Sequence, residues 1–450
     1  MSAIKESIFK AYDIRGIYPS ELDDESAYLI GRAFATIHKD KSIAVGGDAR
    51  ISTPHLKKHL IKGLLESGAN VIDIGMTATP VVYFSCYGLG YNAGIMVTGS
   101  HLEKNHNGMK FCDASGIPIG YDAGLFRVKG IVKERKFVSK KGECSDKDLT
   151  APYTNFIKEL FPSGFKGLKV VIDGANGSAG TLYANILRNL GVEIIELYCN
   201  PDGRFPNHTP DPMKMEFIDD LRQEVISKSA DSGFGFDGDG DRLAVVDEKG
   251  NRVNTNHIFS LMIEDTLRAN NGGKIIHGVL CSKLVEDITL KNGGVPIASK
   301  VGHSYIAAKC AEEGALIGGE VSGHYFFRES NYSDDVMVAC LKLLKIMKEN
   351  TTQLSDLTSK YPVFYEETKR MPVRKGMKFL FIEELKKKLM SQGYNLITLD
   401  GVKVKFDQGW MLFRASNTED KISLGYESSD KGEFDKISRI VKDIISTIPT

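Results

Sequence analysis

Four short stretches carry side chains whose types and spacing could do chemistry. Asp237-Gly-Asp-Gly-Asp-Arg242 alternates carboxylates with glycine, a pattern able to wrap a hard divalent cation in oxygen ligands. An Asp/Gly turn is the plain alternative. An EF-hand loop is a sharper one, because Glu248 falls at its twelfth position. Yet Arg242 stands where that loop needs a turn glycine, and Leu243-Ala-Val-Val246 reads as a strand. Three carboxylates with few neutral ligands suit Mg²⁺ beside a phosphate. Thr98-Gly-Ser-His101, followed by Lys110, supplies a hydroxyl, an imidazole and an ammonium: a nucleophile, a polar partner and a proton carrier. Gly319-Glu-Val-Ser-Gly-His324 offers a carboxylate, a hydroxyl and an imidazole suited to reading sugar hydroxyls. Arg414-Ala-Ser-Asn-Thr418 gathers a guanidinium, two hydroxyls, an amide and backbone N–H groups, a phosphate cradle. Each of the last three also fits an ordinary polar loop when taken alone.

The elements around them read as repeated strand–helix units. Apolar residues at helical spacing run from Glu21 to about Lys39. Ser42–Arg50 reads as a strand, a Gly turn and the polar residues Asp48 and Arg50 at the strand's C-terminal end, with a helix from about Thr53 to Ser67 that has Pro54 in its first turn. Val71–Gly75 and Ala93–Val97 read as further strands, with a helix over Pro80–Tyr87 between them. The alternation predicts mostly parallel α/β sheets, whose ligands sit beyond the strands' C-terminal ends. Ser100 and the Asp48/Arg50 pair fall there. Residues 130–150, rich in Lys, Glu, Ser and Gly, read as an exposed linker. A second unit follows (strand Leu168–Asp173, a Gly-rich turn, a helix, strand Val192–Leu197), then a third from about Gly250. The last 85 residues, with a Lys-rich helix, strands near Gly401–Phe406 and Trp410–Phe413 and a final helix, read as a smaller α+β domain. The expected fold class is therefore α/β: three related α/β domains (1–148, 149–250, 251–365) with a C-terminal α+β domain (366–450).

Bulk properties narrow the function. With 58 basic and 58 acidic residues among 450, and 26% charged, the chain is not a global nucleic-acid or anionic-membrane binder. No apolar run reaches membrane-spanning length, and the first residues hold no signal-peptide core. Seven scattered cysteines without a Cys-x-x-Cys pair predict reduced thiols and a cytoplasmic protein. The Gly-rich pieces lack dinucleotide and P-loop spacings.

Taken in order, these stretches resemble the α-D-phosphohexomutases, in particular the bacterial-type phosphomannomutase/phosphoglucomutase branch. The resemblance runs from Tyr12-Asp-Ile-Arg-Gly16 through the Ser100 loop, Asp202-Gly-Arg-Phe-Pro-Asn-His208, Asp237–Arg242, Lys300-Val-Gly-His303 and Gly319–His324 to Arg414–Thr418. It implies four domains with mixed sheets around a central cleft. It further implies an isomerase that interconverts hexose 6-phosphate and hexose 1-phosphate, with mannose as the expected sugar. Ser100 would be carried as phosphoserine. Its phosphate and Asp237, Asp239 and Asp241 would bind Mg²⁺, and a hexose 1,6-bisphosphate would be intermediate and activator. Lys110 and His101 are implied for acid–base and electrostatic help, and Arg242 for stabilising the phosphate. Tyr12, Arg15, Lys300 and His303 are implied substrate contacts; Glu320, Ser322 and His324 would meet the sugar. Arg414, Ser416, Asn417 and Thr418 would hold the phosphate that does not react. The protein would act as a monomer or homodimer, with closure of the fourth domain excluding water.

Two stretches depart from the pattern. The nucleophile loop of such sequences usually reads Thr-Ala-Ser-His-Asn-Pro, and here it is Thr98-Gly-Ser-His-Leu-Glu103. The third domain's first strand usually ends Asp-x-Lys-Cys-Ser, and here Leu280 replaces the lysine in Gly278-Val-Leu-Cys-Ser282. Gly-Glu-Val-Ser with Asp-Gly-Asp-Gly-Asp resembles mannose/glucose mutases, whereas glucosamine mutases usually read Gly-Glu-Gln-Ser and Asp-Gly-Asp-Ala-Asp.

Overall fold

The structure, a computed structural model, describes residues 4–38, 41–416 and 420–449. Its first sheet contains β1 (Ile14–Ile17), β2 (Ser42–Gly47), β3 (Asn70–Met76), β4 (Ala93–Val97), β5 (His106–Cys112) and β6 (Cys144–Asp146), in the order β1-β5-β4-β2-β3-β6. Helices α1 (Asp24–Ile37), α2 (Thr53–Glu66), α3 (Thr79–Tyr87) and α4 (Phe126–Glu134) flank it. Asp23 starts α1 by accepting a hydrogen bond from the Ser26 N–H (2.8 Å), while α2 and α3 begin with Pro54 and Pro80, where a missing N–H does no harm.

The second sheet, β10-β9-β7-β8, joins β7 (Lys169–Asp173), β8 (Glu193–Leu197), β9 (Ser232–Phe236) and β10 (Leu243–Asp247), with α5 (Thr150–Leu160), α6 (Gly180–Asn189) and α7 (Met215–Lys228). The third, β12-β11-β13-β14, joins β11 (Gly273–Gly278), β12 (Gly294–Ser299), β13 (Ile317–Gly319) and β14 (Tyr325–Phe327). Its helices are α8 (Thr255–Asn270), α9 (Lys283–Lys291), α10 (His303–Glu313), α11 (Val336–Asn350) and α12 (Leu354–Ser359).

One plan recurs in all three. A central strand pairs in parallel with the two strands that follow it, and the third strand turns back through a hairpin onto an antiparallel fourth. The hairpin turns hold Ser100 in the first domain, Asp237–Arg242 in the second and Glu320–His324 in the third. The flanking strands β4, β9 and β10 are buried at every residue, so each turn is anchored in core on at least one side.

The fourth domain is an antiparallel sheet of β15 (Tyr365–Pro372), β16 (Leu396–Ile397), β17 (Val402–Lys405), β18 (Gly409–Ala415) and β19 (Lys421–Ser428), in the order β15-β19-β18-β17-β16. Helices α13 (Lys378–Ser391) and α14 (Lys431–Ile445) bury Phe381, Leu385, Ile437 and Val441 against it. A single apolar core runs through the first three domains, including Val82, Phe236, Ile263 and much of α11. The fourth domain has a core of its own and meets the third through a small cluster of Val279, Leu280, Trp410 and Leu412.

The expected linker over 130–150 is only partly one. Helix α4 reaches Glu134, and β6 adds in parallel to the edge of β3 although all three of its residues are exposed. Backbone pairing needs no apolar side chain, so the pattern of residue types gave no sign of it. Among the described residues, no helix is long and apolar enough to cross a membrane.

Candidate active site

The turns of the first two domains meet face to face. Ser100, 2% exposed at the end of β4, donates to Asp237 Oδ2 across the interface (2.8 Å) and has His101 Nδ1 at 3.3 Å. Its backbone is left-handed (φ 50°), a conformation that strains a non-glycine residue by roughly 1–3 kcal/mol. The Thr98 hydroxyl accepts from the Ser100 N–H (2.7 Å) and supports that turn. A Cβ at Gly238 would lie 2.7 Å from the Ser100 carbonyl oxygen, so glycine there lets the acidic loop touch the nucleophile's backbone.

Asp237, Asp239 and Asp241 are all 0% exposed. Asp237 Oδ1 accepts from the N–H groups of Asp241 (3.0 Å) and Arg242 (3.1 Å), which folds the loop around it. The Lys110 ammonium, from β5, donates to Asp239 Oδ2 (2.6 Å) and also to Asp241 Oδ2. Thr79, at the start of α3, donates to Asp239 Oδ2 as well (2.6 Å). The second oxygens of Asp239 and Asp241 are buried without a hydrogen-bond partner, an unusual state for carboxylates. Their ligand atoms and one of Asp237 lie within 4.8 Å of one another. Burial, with Asp241 and Asp239 alongside, pushes the Asp237 carboxyl well up, a sign of uncompensated negative charge. Hard oxygen donors with free positions fit a divalent cation such as Mg²⁺.

Around this junction stand the cations. Arg15 donates to Asp13 (2.8 Å) and to the Thr98 carbonyl (2.7 Å). Arg242 Nε lies 4.0 Å from Asp237 Oδ2. Burial opposes charge on Lys110, but Asp239 and Asp241 outweigh it and hold the ammonium above its usual range. Burial, and then Arg242, Arg15 and Lys110, push His101 well below the usual imidazole range, so it is neutral. These residues line a cleft of about 580 Å³ together with Tyr12, His303 and His324.

The third domain's turn closes the next wall. Glu320 accepts from the Ser322 hydroxyl (2.7 Å) and from the Gly302 N–H (2.9 Å), and Ser322 also meets His324 Nδ1 (2.8 Å). His324 Nε2 lies 3.4 Å from Asp241 Oδ1. Burial works against the charged form of His324, but Asp241 and Glu320 raise it to about 9. Glu320, despite burial, is drawn down to about 2 by His324, Ser322 and Gly302. Tyr12 packs edge-on to His303 at 6.2 Å. Burial pushes the Tyr12 phenol up, and the nearby Arg414 guanidinium of the fourth domain opposes this. Arg414 Nε stands 3.5 Å from Asp400 Oδ2, and Lys378 reaches the Ser416 carbonyl (2.9 Å).

The structure thus brings together Ser100, His101, Lys110, the three aspartates, Arg242, Arg15, Tyr12, His303, Glu320, Ser322 and His324. Lys300 lies on the exposed rim, over the Tyr305 ring at 5.5 Å. Asn417 and Thr418 fall outside the described residues. Leu280 faces Trp410 and Leu412 rather than a cation's role. Sequence reasoning missed Thr79 and Asp334. Thr79 had a usable signal, a hydroxyl at a helix start just beyond a strand's C-terminal end. Asp334, 4.0 Å from His324 and raised to about 7 by burial and Asp241, had none.

Comparison with known proteins decides the family. Models of the phosphoglucomutase/phosphomannomutase domains match in sequence: alpha/beta/alpha domain I over residues 6–138, domain II over 151–250, domain III over 254–364 and the C-terminal domain over 369–444. The chain belongs to the phosphoglucomutase/phosphomannomutase family. A phosphomannomutase/phosphoglucomutase of Pseudomonas aeruginosa is 36% identical over 447 residues, covering 98% of this chain and 96% of that one. A phosphoglucomutase of Neisseria gonorrhoeae is 36% identical over 458 residues, covering 100% and 99%. A crystal structure of a family protein from Burkholderia thailandensis superposes with a TM-score of 0.90 at 32% identity, covering 98% of this chain and 97% of that one. This member of the family is accordingly an isomerase with the four-domain phosphohexomutase architecture.

Proposed function

We propose that this protein interconverts hexose 6-phosphate and hexose 1-phosphate, with mannose phosphates as preferred substrates, through a phosphoserine at Ser100 and a hexose 1,6-bisphosphate intermediate. The observation that carries the reading is the junction itself: the Ser100 hydroxyl hydrogen-bonded to Asp237, with Lys110 bridging Asp239 and Asp241. Asp237, Asp239 and Asp241 would hold Mg²⁺, which when bound withdraws charge from the transferring phosphoryl group.

The chain's own residues do the rest. Phosphoserine gives its phosphoryl group to the free hydroxyl of a hexose monophosphate: as the sugar O–P bond forms the Oγ–P bond breaks, and Ser100 Oγ takes up the proton that the sugar hydroxyl gives up, beside Asp237 and the neighbouring cations. The bisphosphate turns over in the cleft and returns its other phosphate to Ser100. Lys110, charged and fixed between two carboxylates, supplies electrostatics rather than proton transfer, and Arg242 and Arg15 supply positive field at the mouth. Neutral His101, beside Ser100 Oγ, is positioned to accept a hydrogen bond or a proton. Glu320 and Ser322 present paired acceptors and donors to sugar hydroxyls in either orientation. Tyr12, Lys300, His303, His324, Arg414 and Ser416, with Asn417 and Thr418, grip the substrate and its non-reacting phosphate. That a Neisseria phosphoglucomutase is as similar as the dual-named Pseudomonas enzymes supports glucose phosphates as a second substrate class for this chain. A coupled assay of mannose 1-, glucose 1- and glucosamine 1-phosphate, with Ser100→Ala alongside and intact-mass detection of phosphoserine, tests the reading. Full turnover by Ser100→Ala would sink it.

A further inference from the structure

The Asp48/Arg50 pair and the Asp202–His208 turn take no part in the chemistry above, yet they meet beneath it. Arg50 is 1% exposed. Its Nε donates to Asp48 Oδ2 (3.0 Å), Nη1 to the carbonyls of Glu103 (2.5 Å) and His106 (2.9 Å), and Nη2 to those of Ser100 (2.7 Å) and Leu102 (2.6 Å). A guanidinium has five N–H donors. All are committed, four of them to carbonyls of the one turn that presents Ser100. Carbonyls aimed at a common point repel one another and, if buried without donors, destabilise the turn. The turn keeps this shape because a forked cation fills it.

Two further contacts fix the cation. Asp48 also accepts from the Thr98 hydroxyl (2.8 Å) and the Gly99 N–H (3.1 Å), so it ties the guanidinium to the start of the turn. Phe205, from the second domain, covers the guanidinium face at 5.0 Å, and Gly203 beside it pairs with the Arg50 backbone. A Cβ at Gly99 would stand 2.4 Å from Arg50 Cζ and Nε, so the guanidinium lies directly against the backbone at that position. Leu102 and Glu103 give the guanidinium only their carbonyls, so its hydrogen bonds place no demand on their side chains.

We infer that Arg50 is a positioning residue for Ser100: the nucleophile turn is folded around its guanidinium, and Phe205 of the second domain holds the guanidinium in place. The inference rests on the reading of Ser100 as phosphoryl carrier. Arg50→Lys keeps the charge but loses the fork. It is expected to lower kcat about 100-fold through displacement of Ser100, with KM for hexose 1-phosphate changed less than about threefold. Gly99→Ala pushes on the same guanidinium and on the His106 carbonyl that it binds, and is expected to lower kcat about tenfold, again without a KM change. Since both disturb one guanidinium–carbonyl cluster, the double variant is expected to fall short of the product of the single losses, whereas independent effects would multiply. Wild-type kcat in Arg50→Lys, a KM effect without a kcat effect, or multiplying losses would each overturn the inference. Should Arg50→Lys fail to fold, Gly99→Ala and Phe205→Leu carry the test on kcat alone, and wild-type kcat in both would overturn it. Inactive Ser100→Ala beside fully active Arg50→Lys would remove only the positioning role; active Ser100→Ala would remove the proposed function.

Discussion

The two junctions of this molecule are built on opposite principles. Where the first and second domains meet, Ser100, Lys110 and the three aspartates are at most 2% exposed, and one oxygen each of Asp239 and Asp241 is left open toward the same point. Where the fourth domain meets the others, the recognition groups are only partly covered: Lys300 is exposed, Arg414 stands 3.5 Å from Asp400, and the apolar contact is the small Val279–Trp410 cluster. The first junction shares a continuous core; the second joins two separate ones. Phosphoryl transfer needs reacting groups oriented beforehand in a dry site, whereas admitting and inverting a sugar phosphate needs a wall that can withdraw. The difference assigns chemistry to one junction and access to the other.

That division can be broken by measurement. The largest effect is expected for Ser100→Ala, which should lower kcat by roughly 10⁴-fold or more and abolish phosphorylation seen by intact mass. Retained phosphorylation would move the nucleophile elsewhere. Removing divalent metal with EDTA should cost about 10³-fold in turnover, restored by Mg²⁺, because the buried aspartates then lack their counter-charge. Turnover unaffected by EDTA would dissociate the acidic loop from the chemistry. At the other junction Arg414→Ala should raise KM about 10- to 100-fold, from one lost charge-assisted phosphate contact, with kcat nearly unchanged. A large kcat effect there would mean that the fourth domain takes part in the chemical step.

A change in stability rather than in rate is expected at Lys403, 3% exposed, whose ammonium donates to the Val279 carbonyl (2.6 Å) and lies over Trp410 at 4.3 Å. Burial, only partly offset by Glu286 and Glu427, lowers it from 10.5 to about 8. Between those values the unfolded chain binds the proton and the folded chain does not, so stability gains with rising pH. Wild type should therefore gain on Lys403→Met by on the order of 3 kcal/mol as pH goes from 8 to 10.5 in paired unfolding curves. A pH-independent difference would mean that Lys403 titrates normally and that the junction is wet.

Legibility followed the same divide. The alternating aspartates could be read because three acids and two glycines in a row constrain each other locally, and their loop stays where the pattern puts it. The strand β5 went unread because it opens with His106 and Asn107, and only its position in the sheet makes Lys110 the neighbour of Asp239 and Asp241. Arg50 was visible as a polar residue after a strand, but the carbonyls it binds carry no residue type at all. The departure at Leu102 and Glu103 has the same source, since what that pair gives Arg50 is backbone carbonyl. On the fourth domain, the expected cradle begins at Arg414, whose guanidinium stands near Tyr12 of the first domain.

The hairpin turn shared by the first three domains gives the enzyme a division of labour. Under the proposed function one turn would carry the phosphoryl group, one the acids and one the sugar contacts, each closing the equivalent pair of strands in its own sheet. A turn can change length or residues without shifting the register of the strands beneath it. Under the same reading, sugar preference can be retuned at residues 320–322 while the transfer apparatus, held by two other turns in two other sheets, stays as it is; His324, 3.4 Å from Asp241, ties the two together.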